Sequence, residues 1–281
     1  MKVDLVQMEL RDNNIEYNTS QVIANIVRTD VAGGTELVVF PEATLSGFPT
    51  AATAAAVAQP IDGPAVTAVR EAARRAGVSV VVGFAERDAA QFFNTSLLID
   101  ETGEILLRYR KTHLWASDVG VFTAGDRFET RRWHGIEVGL LICYDIEFPE
   151  TARAVASLGA ELLIVTDGNM DPFGPVHRRA IVARAMENQI FAVLTNRCGA
   201  GADSMTFPGE SVLVDPFGEV VATAGAEAAR LSARIDLDRL SASRARYRYL
   251  DDARVALDLA KIDAAGSRPA LVIPEPRRRA G

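Results

Sequence analysis

The run Val138-Gly139-Leu140-Leu141-Ile142-Cys143-Tyr144-Asp145-Ile146-Glu147-Phe148-Pro149-Glu150 decides how this chain is read. Val138 to Ile142 is almost continuously apolar, the mark of a strand buried on both faces. It ends at a thiol, an acidic stretch with a proline follows, and Glu150 to Leu158 is helical in pattern. Cys143 therefore sits at a strand-to-helix turn, clear of the sheet, where backbone N–H groups can face a developing negative charge. A cysteine in that place is equally readable as a small buried packing residue.

Two other segments bear on the choice. Leu37-Val38-Val39-Phe40-Pro41-Glu42 is a buried strand that delivers a carboxylate to its C-terminal end. Leu106-Leu107-Arg108-Tyr109-Arg110-Lys111-Thr112-His113-Leu114-Trp115 is a third strand-like run, with Lys111 where it meets a loop. Singly, Glu42 reads as a solvated cap and Lys111 as a surface charge. Together, three strands bring a carboxylate, an ammonium and a thiol to their ends, and sites in open α/β sheets form there.

These three segments, in this order and spacing, resemble the Glu-Lys-Cys motifs of the nitrilase superfamily of carbon–nitrogen hydrolases. The resemblance continues through Leu158-Gly159-Ala160-Glu161-Leu162-Leu163, Ala183-Arg184-Ala185-Met186-Glu187-Asn188 and Val214-Asp215-Pro216-Phe217-Gly218, from about Lys2 to about Asp258. It implies a four-layer α-β-β-α sandwich with mixed sheets and a homodimer or larger assembly. It also implies Glu42, Lys111 and Cys143 as catalytic residues, with Asp118, Tyr144, Asn169, Met170 and His177 around the substrate. Many members carry a second glutamate seven residues after the lysine, where this chain has Asp118. Asp is one methylene shorter, so a direct contact to Lys111 or substrate is lost or bridged by water, or Asp118 is only a loop residue.

An unassisted thiol needs a base to attack an amide at neutral pH. Glu42 would take its proton, Lys111 and the Tyr144 N–H would hold the oxyanion, and Glu42 would protonate the leaving amine and later activate water. Burial raises the pKa of Glu42 while the Lys111 charge lowers it, and the sequence leaves the balance open. The expected reaction is hydrolysis of a small amide to carboxylate and ammonia through a Cys143 thioester. A carbamoyl amine or carbamoyl amino acid is the nearest alternative and a nitrile the more distant one. Cys-Tyr-Asp resembles the amidase branches, while Pro41-Glu42-Ala43 is nitrilase-like. Arg178 or His177 is a candidate holder of a substrate carboxylate. A Cys-His hydrolase, with His113, His134 or His177 beside Cys143, and a non-enzymatic binding module are the competing classes. Cys198 reads as a packing residue.

Alternating strand-like runs (2–8, 36–41, 78–84, 95–100, 104–110, 136–142, 161–166, 189–195, 210–215, 219–223, 230–236) and helical patterns (15–32, 64–76, 150–158, 175–188, 238–260) argue for an α/β fold. The expectation is one domain over residues 1–265 and a tail over 266–281. A net charge of −7 argues against nucleic acid or an anionic membrane as partner. No apolar run approaches the ~18 residues of a membrane span, and no secretory signal is apparent. Two cysteines 55 positions apart form neither a disulfide framework nor a zinc spacing, so the setting expected is the cytoplasm, with no metal and no cofactor. Asn18-Thr19-Ser20 and Asn94-Thr95-Ser96 match the glycosylation pattern without a secretory context.

Overall fold

The computed structural model describes residues 1–262 and 269–274. Two six-stranded mixed sheets form its centre. The first runs, in spatial order, Ala229–Arg234, Lys2–Gln7, Thr35–Val39, Ser79–Asp88, Gln91–Ile99 and Ile105–Arg110. The second runs Val220–Thr223, Val212–Val214, Phe191–Asn196, Leu162–Asp167, Ile136–Ile142 and Thr130–Trp133. In each, three central strands are parallel and the flanking ones antiparallel.

Strict alternation in the first sheet assigns its faces. Val3, Leu5, Leu37, Val39, Val81 and Leu98 point to the second sheet. Val38, Val80, Val82, Leu97 and Ile99 instead pack with Val22 and Ile26 of the Ile15–Val27 helix and Val66 and Val69 of the Pro64–Ala76 helix. The second sheet is buried on both sides, its far face covered by the helices Pro149–Ser157 and Gly174–Asn188. This is the four-layer α-β-β-α sandwich. A Cβ on Gly139 would stand 2.0 Å from Val155 Cγ1, so the glycine lets the Pro149–Ser157 helix approach the sheet closely. Proline opens three of these helices, where its missing N–H costs nothing.

Polar bonds register the sheets against each other. Ser96 Oγ and Thr166 Oγ1 are 2.6 Å apart, and Trp133 Nε1 donates to Ser79 Oγ at 2.9 Å. The Glu42 N–H donates to Asp167 O at 3.1 Å. In a low-dielectric interior such bonds are costly to leave unmade, so they fix one alignment of the layers.

Two expectations change. The helix expected over 238–260 is broken into Asp238–Ser243 and Tyr249–Asp252, followed by a strand at Ala260–Ile262. The side chain of Gln189 is the physical reason. Its Nε2 donates to Ser243 O and Tyr247 O, and its Oε1 accepts the Tyr249 N–H, satisfying backbone groups that a continuous helix would pair internally. Ala270–Val272, within the expected tail, is a strand that pairs with Ala260–Ile262 and with Arg127–Phe128. The Arg277–Arg279 run lies outside the described residues. Thr130–Trp133, with two arginines, carried no strand signal in the sequence yet forms a sheet edge. Among the described residues no helix is long and apolar enough to cross a membrane.

Candidate active site

Glu42, Lys111 and Cys143 converge at one end of the sandwich, buried to 1%, 2% and 8% exposure. Glu42 follows the Thr35–Val39 strand, Lys111 follows Ile105–Arg110, and Cys143 follows Ile136–Ile142. Cys143 has φ +46°, the left-handed region that a non-glycine residue rarely occupies. That sharp turn ends the strand and opens a short 3₁₀ turn, Cys143–Glu147, ahead of the Pro149–Ser157 helix.

Hydrogen bonds divide the work of the carboxylate and the ammonium. Glu42 Oε1 accepts from Lys111 Nζ at 2.8 Å and from Asn94 Nδ2 at 2.8 Å. Its Oε2 is buried with no partner. A Cβ on Gly168 would stand 2.6 Å from Oε2 and 2.4 Å from Phe48 Cζ, so this part of the cavity requires glycine. Lys111 Nζ also donates to Asp118 Oδ2 at 2.7 Å. An ammonium has three donors, and these two bonds leave one for a ligand. Asp118 thus contacts Lys111 directly, with neither a lost bond nor a bridging water. The shorter side chain reaches because Asp118 sits in a tight 3₁₀ turn, where the Trp115 N–H donates to Oδ2 at 3.0 Å.

The electrostatics follow from this burial. Burial raises the pKa of Glu42, and the Lys111 charge only partly offsets it. The Cys143 thiol is pushed well above its ordinary value, first by burial and then by Glu42, with Lys111 pulling the other way. Lys111 is desolvated, yet Glu42, Cys143 and Asp118 together hold it well above the usual lysine range. The thiol is therefore protonated at rest, beside a carboxylate with one free oxygen and a permanent cation.

Asp145 ties the nucleophile turn to the lysine strand. Its carboxylate, fully buried, accepts from the Tyr109 hydroxyl at 2.8 Å, the Thr112 hydroxyl at 2.8 Å and the His113 N–H at 2.9 Å. The Ile142 N–H adds a longer bond at 3.3 Å. The His113 ring stacks on Phe148 at 3.9 Å.

His177 is buried between two carboxylates, with Nδ1 3.1 Å from Asp167 Oδ1 and Nε2 3.1 Å from Glu147 Oε1. Burial alone would lower its pKa, but Asp167 and Glu147 push it up to about 10. Ligand atoms of Cys143, Asp167 and His177 lie within 4.8 Å of one another. Both imidazole nitrogens carry protons toward carboxylates, so His177 has no lone pair with which to activate Cys143 or bind a metal. The Cys-His reading therefore lacks its base here. His113 binds Asp145, and His134 bridges Glu36 and Glu101 at the surface. Arg178 is paired with Glu210 at 2.8 Å and does not line the main cavity. Arg178 and His177, the candidate holders of a substrate carboxylate, each already face a carboxylate of the protein. Cys198 is buried apart from the cavity, its thiol pushed up to about 11 by burial.

A cavity of about 400 Å³ opens over the three residues. Asp118, Tyr144, Asn169, Met170 and His177 all line it. Phe48, Trp115, Val121, Phe173, Val176 and Met205 supply apolar wall that the sequence did not single out. Asn94 was also missed. It matched only a glycosylation pattern, yet it is buried and holds Glu42. Its place in the hairpin partner of the lysine strand is the signal that was available.

Residues 2–245 match the carbon-nitrogen hydrolase family. An (R)-stereoselective amidase of a Pseudomonas species is 51% identical over 273 residues, 97% of this chain and 98% of that protein. The crystal structure of an amidase from a Nesterenkonia species superposes with a TM-score of 0.81 at 28% identity, covering 90% of this chain and 93% of that one. A structure of a mutant of that amidase, with the same TM-score and identity over 90% and 94% of the two chains, shows covalent addition of the acetamide moiety of fluoroacetamide at its active-site cysteine.

Proposed function

This chain belongs to the carbon–nitrogen hydrolase family and is an amide hydrolase of the nitrilase superfamily with an active-site cysteine, and we propose that Glu42, Lys111 and Cys143 divide its chemistry as follows. The Cys143 thiol passes its proton to Glu42 as sulfur attacks the amide carbon. The carbonyl oxygen becomes an oxyanion, held by the third donor of Lys111 and the Tyr144 N–H. Collapse breaks the carbon–nitrogen bond, and protonated Glu42 gives its proton to the leaving ammonia. The thioester on Cys143 is then attacked by water, with Glu42 as base. The carboxylic acid leaves and the thiol is restored.

The observation that carries this reading is the split environment of Glu42. One oxygen is pinned by Lys111 and Asn94, and the other is buried and unpartnered. Burial raises its pKa above the ordinary carboxylate value, which favours taking the thiol proton and returning it to the leaving amine. The carbamoyl and nitrile alternatives have no observation of their own in the cavity. The similarity to a stereoselective amidase supports a chiral amide as substrate. A cytoplasmic homodimer with a single catalytic domain completes the proposal.

Ammonia release, measured across neutral amides, N-carbamoyl compounds and nitriles, tests the reading. Turnover of amides by wild type and its loss in Cys143→Ala is the expected result. Hydrolysis confined to nitriles or carbamoyl compounds would overturn it.

A further inference from the structure

The apolar cavity contains charges, and their pairing is uneven. Its charged lining side chains are Glu42, Lys111, Asp118, Glu147 and His177. Lys111 is bonded to Glu42 and Asp118, and His177 to Asp167 and Glu147. Each cation therefore already faces two carboxylates. Among the described residues, no lining cation lacks a carboxylate partner. The carboxylates are not all used in return. Glu147 touches His177 through Oε1 alone, and its side chain is 32% exposed, the most open of the charged groups in these ion pairs. The apolar side chains Met170, Phe173 and Val176 line the same cavity.

We propose that Glu147 sets the charge selectivity of the acyl pocket, so that the enzyme favours amides whose acyl group carries an ammonium and disfavours those carrying a carboxylate. This rests on the amide-hydrolase reading above. A carboxylate entering this wall would lose water, meet Glu147 and find no unpaired cation. An ammonium would find a partly exposed carboxylate with an oxygen to spare, in a cavity lined largely by apolar side chains. Glu147 is a specificity residue, not a participant in bond making. His177 positions it by holding its other oxygen.

Three probes of similar length and different charge test this: hexanamide, δ-aminovaleramide and the monoamide of adipic acid. Hexanamide turnover by the same preparation reports the amidase reading itself, and the ratios to it report the charge reading. In wild type, kcat/KM for the carboxylate probe falls roughly tenfold or more below hexanamide, while the ammonium probe equals or exceeds it, the size expected of a partly solvated charge contact. Glu147→Gln should narrow the ammonium-to-carboxylate ratio by at least about fivefold, each normalised to hexanamide in the same variant. Merely disturbing His177 would move all three probes alike. Wild type also gives an answer without the variant. Rising salt should slow the ammonium probe, speed the carboxylate probe and leave hexanamide unmoved. Equal rates for the carboxylate and ammonium probes, salt slopes of the same sign, or an unchanged ratio in a folded Glu147→Gln protein would each overturn the proposal.

Discussion

Asp118 Oδ2 and Lys111 Nζ are 2.7 Å apart in the buried site, and the same oxygen accepts the Trp115 N–H. The carboxylate therefore fixes the lysine and its own turn at once. Asp118→Asn keeps the size of the side chain but removes one of the charges that hold the ammonium in place. Turnover should fall at least roughly tenfold with a smaller change in KM, because the lysine acts on charge that develops in the transition state. Unchanged kinetics in the Asn variant would reduce Asp118 to a loop residue.

Cys143→Ala should fold and lose about three decades of rate or more, as expected for removal of a covalent catalyst. Mass spectrometry of wild type under slow turnover should place an acyl adduct on Cys143. An adduct on Cys198, which is buried apart from the cavity, would reject the assignment. Alkylation of the thiol should abolish activity, while a chelator should leave it unchanged.

His177 predicts a pH dependence of stability. Its folded pKa, raised from 6.5 to about 10, means that the folded protein holds a proton the unfolded chain has shed between those values. Its contribution is therefore complete below about pH 6.5 and is lost as pH rises towards about 10. Thermal melts should show Tm declining across this window, and His177→Gln should flatten that decline. A wild-type Tm that rises over the same range, with the Gln variant parallel to it, would contradict the ion-pair geometry with Asp167 and Glu147.

Gly168→Ala should damage the site more than the fold. The added methyl would meet Glu42 Oε2 at 2.6 Å and the Phe48 ring at 2.4 Å. Either Glu42 or the pocket wall must move, so kcat/KM should drop by about tenfold or more. Full activity in this variant would show that Oε2 is not the working oxygen.

The convergence of Glu42, Lys111 and Cys143 was legible because each ends a strand and its flanks are distinctive. The faces of the first sheet are a finding of the folded protein, where Val38 and Val80 point one way and Leu37 and Val81 the other; the apolar runs indicated only buried strands. The break in the expected 238–260 helix was not legible. It depends on Gln189, about fifty residues earlier, supplying hydrogen bonds to Ser243, Tyr247 and Tyr249. Local propensity contains no information about a partner so distant in sequence. Asp145 and Asn94 escaped notice for the same reason. Their roles are bonds to Tyr109 and Glu42, and neither bond leaves a periodic trace.

The four-layer arrangement was implied by the family resemblance; by itself, the patterning of the chain determined an α/β alternation, the three strand ends and the chemical identity of thiol, carboxylate and ammonium. These follow from hydrophobic spacing and residue type, which are properties of short segments. Tertiary structure alone decided the balance of charge. Burial outweighs Lys111 at Glu42, two carboxylates raise the pKa of His177, and Asp118 reaches Lys111 despite its shorter side chain. Those outcomes depend on distances of a few ångströms and on the exclusion of water, which exist only once the two sheets have closed on each other.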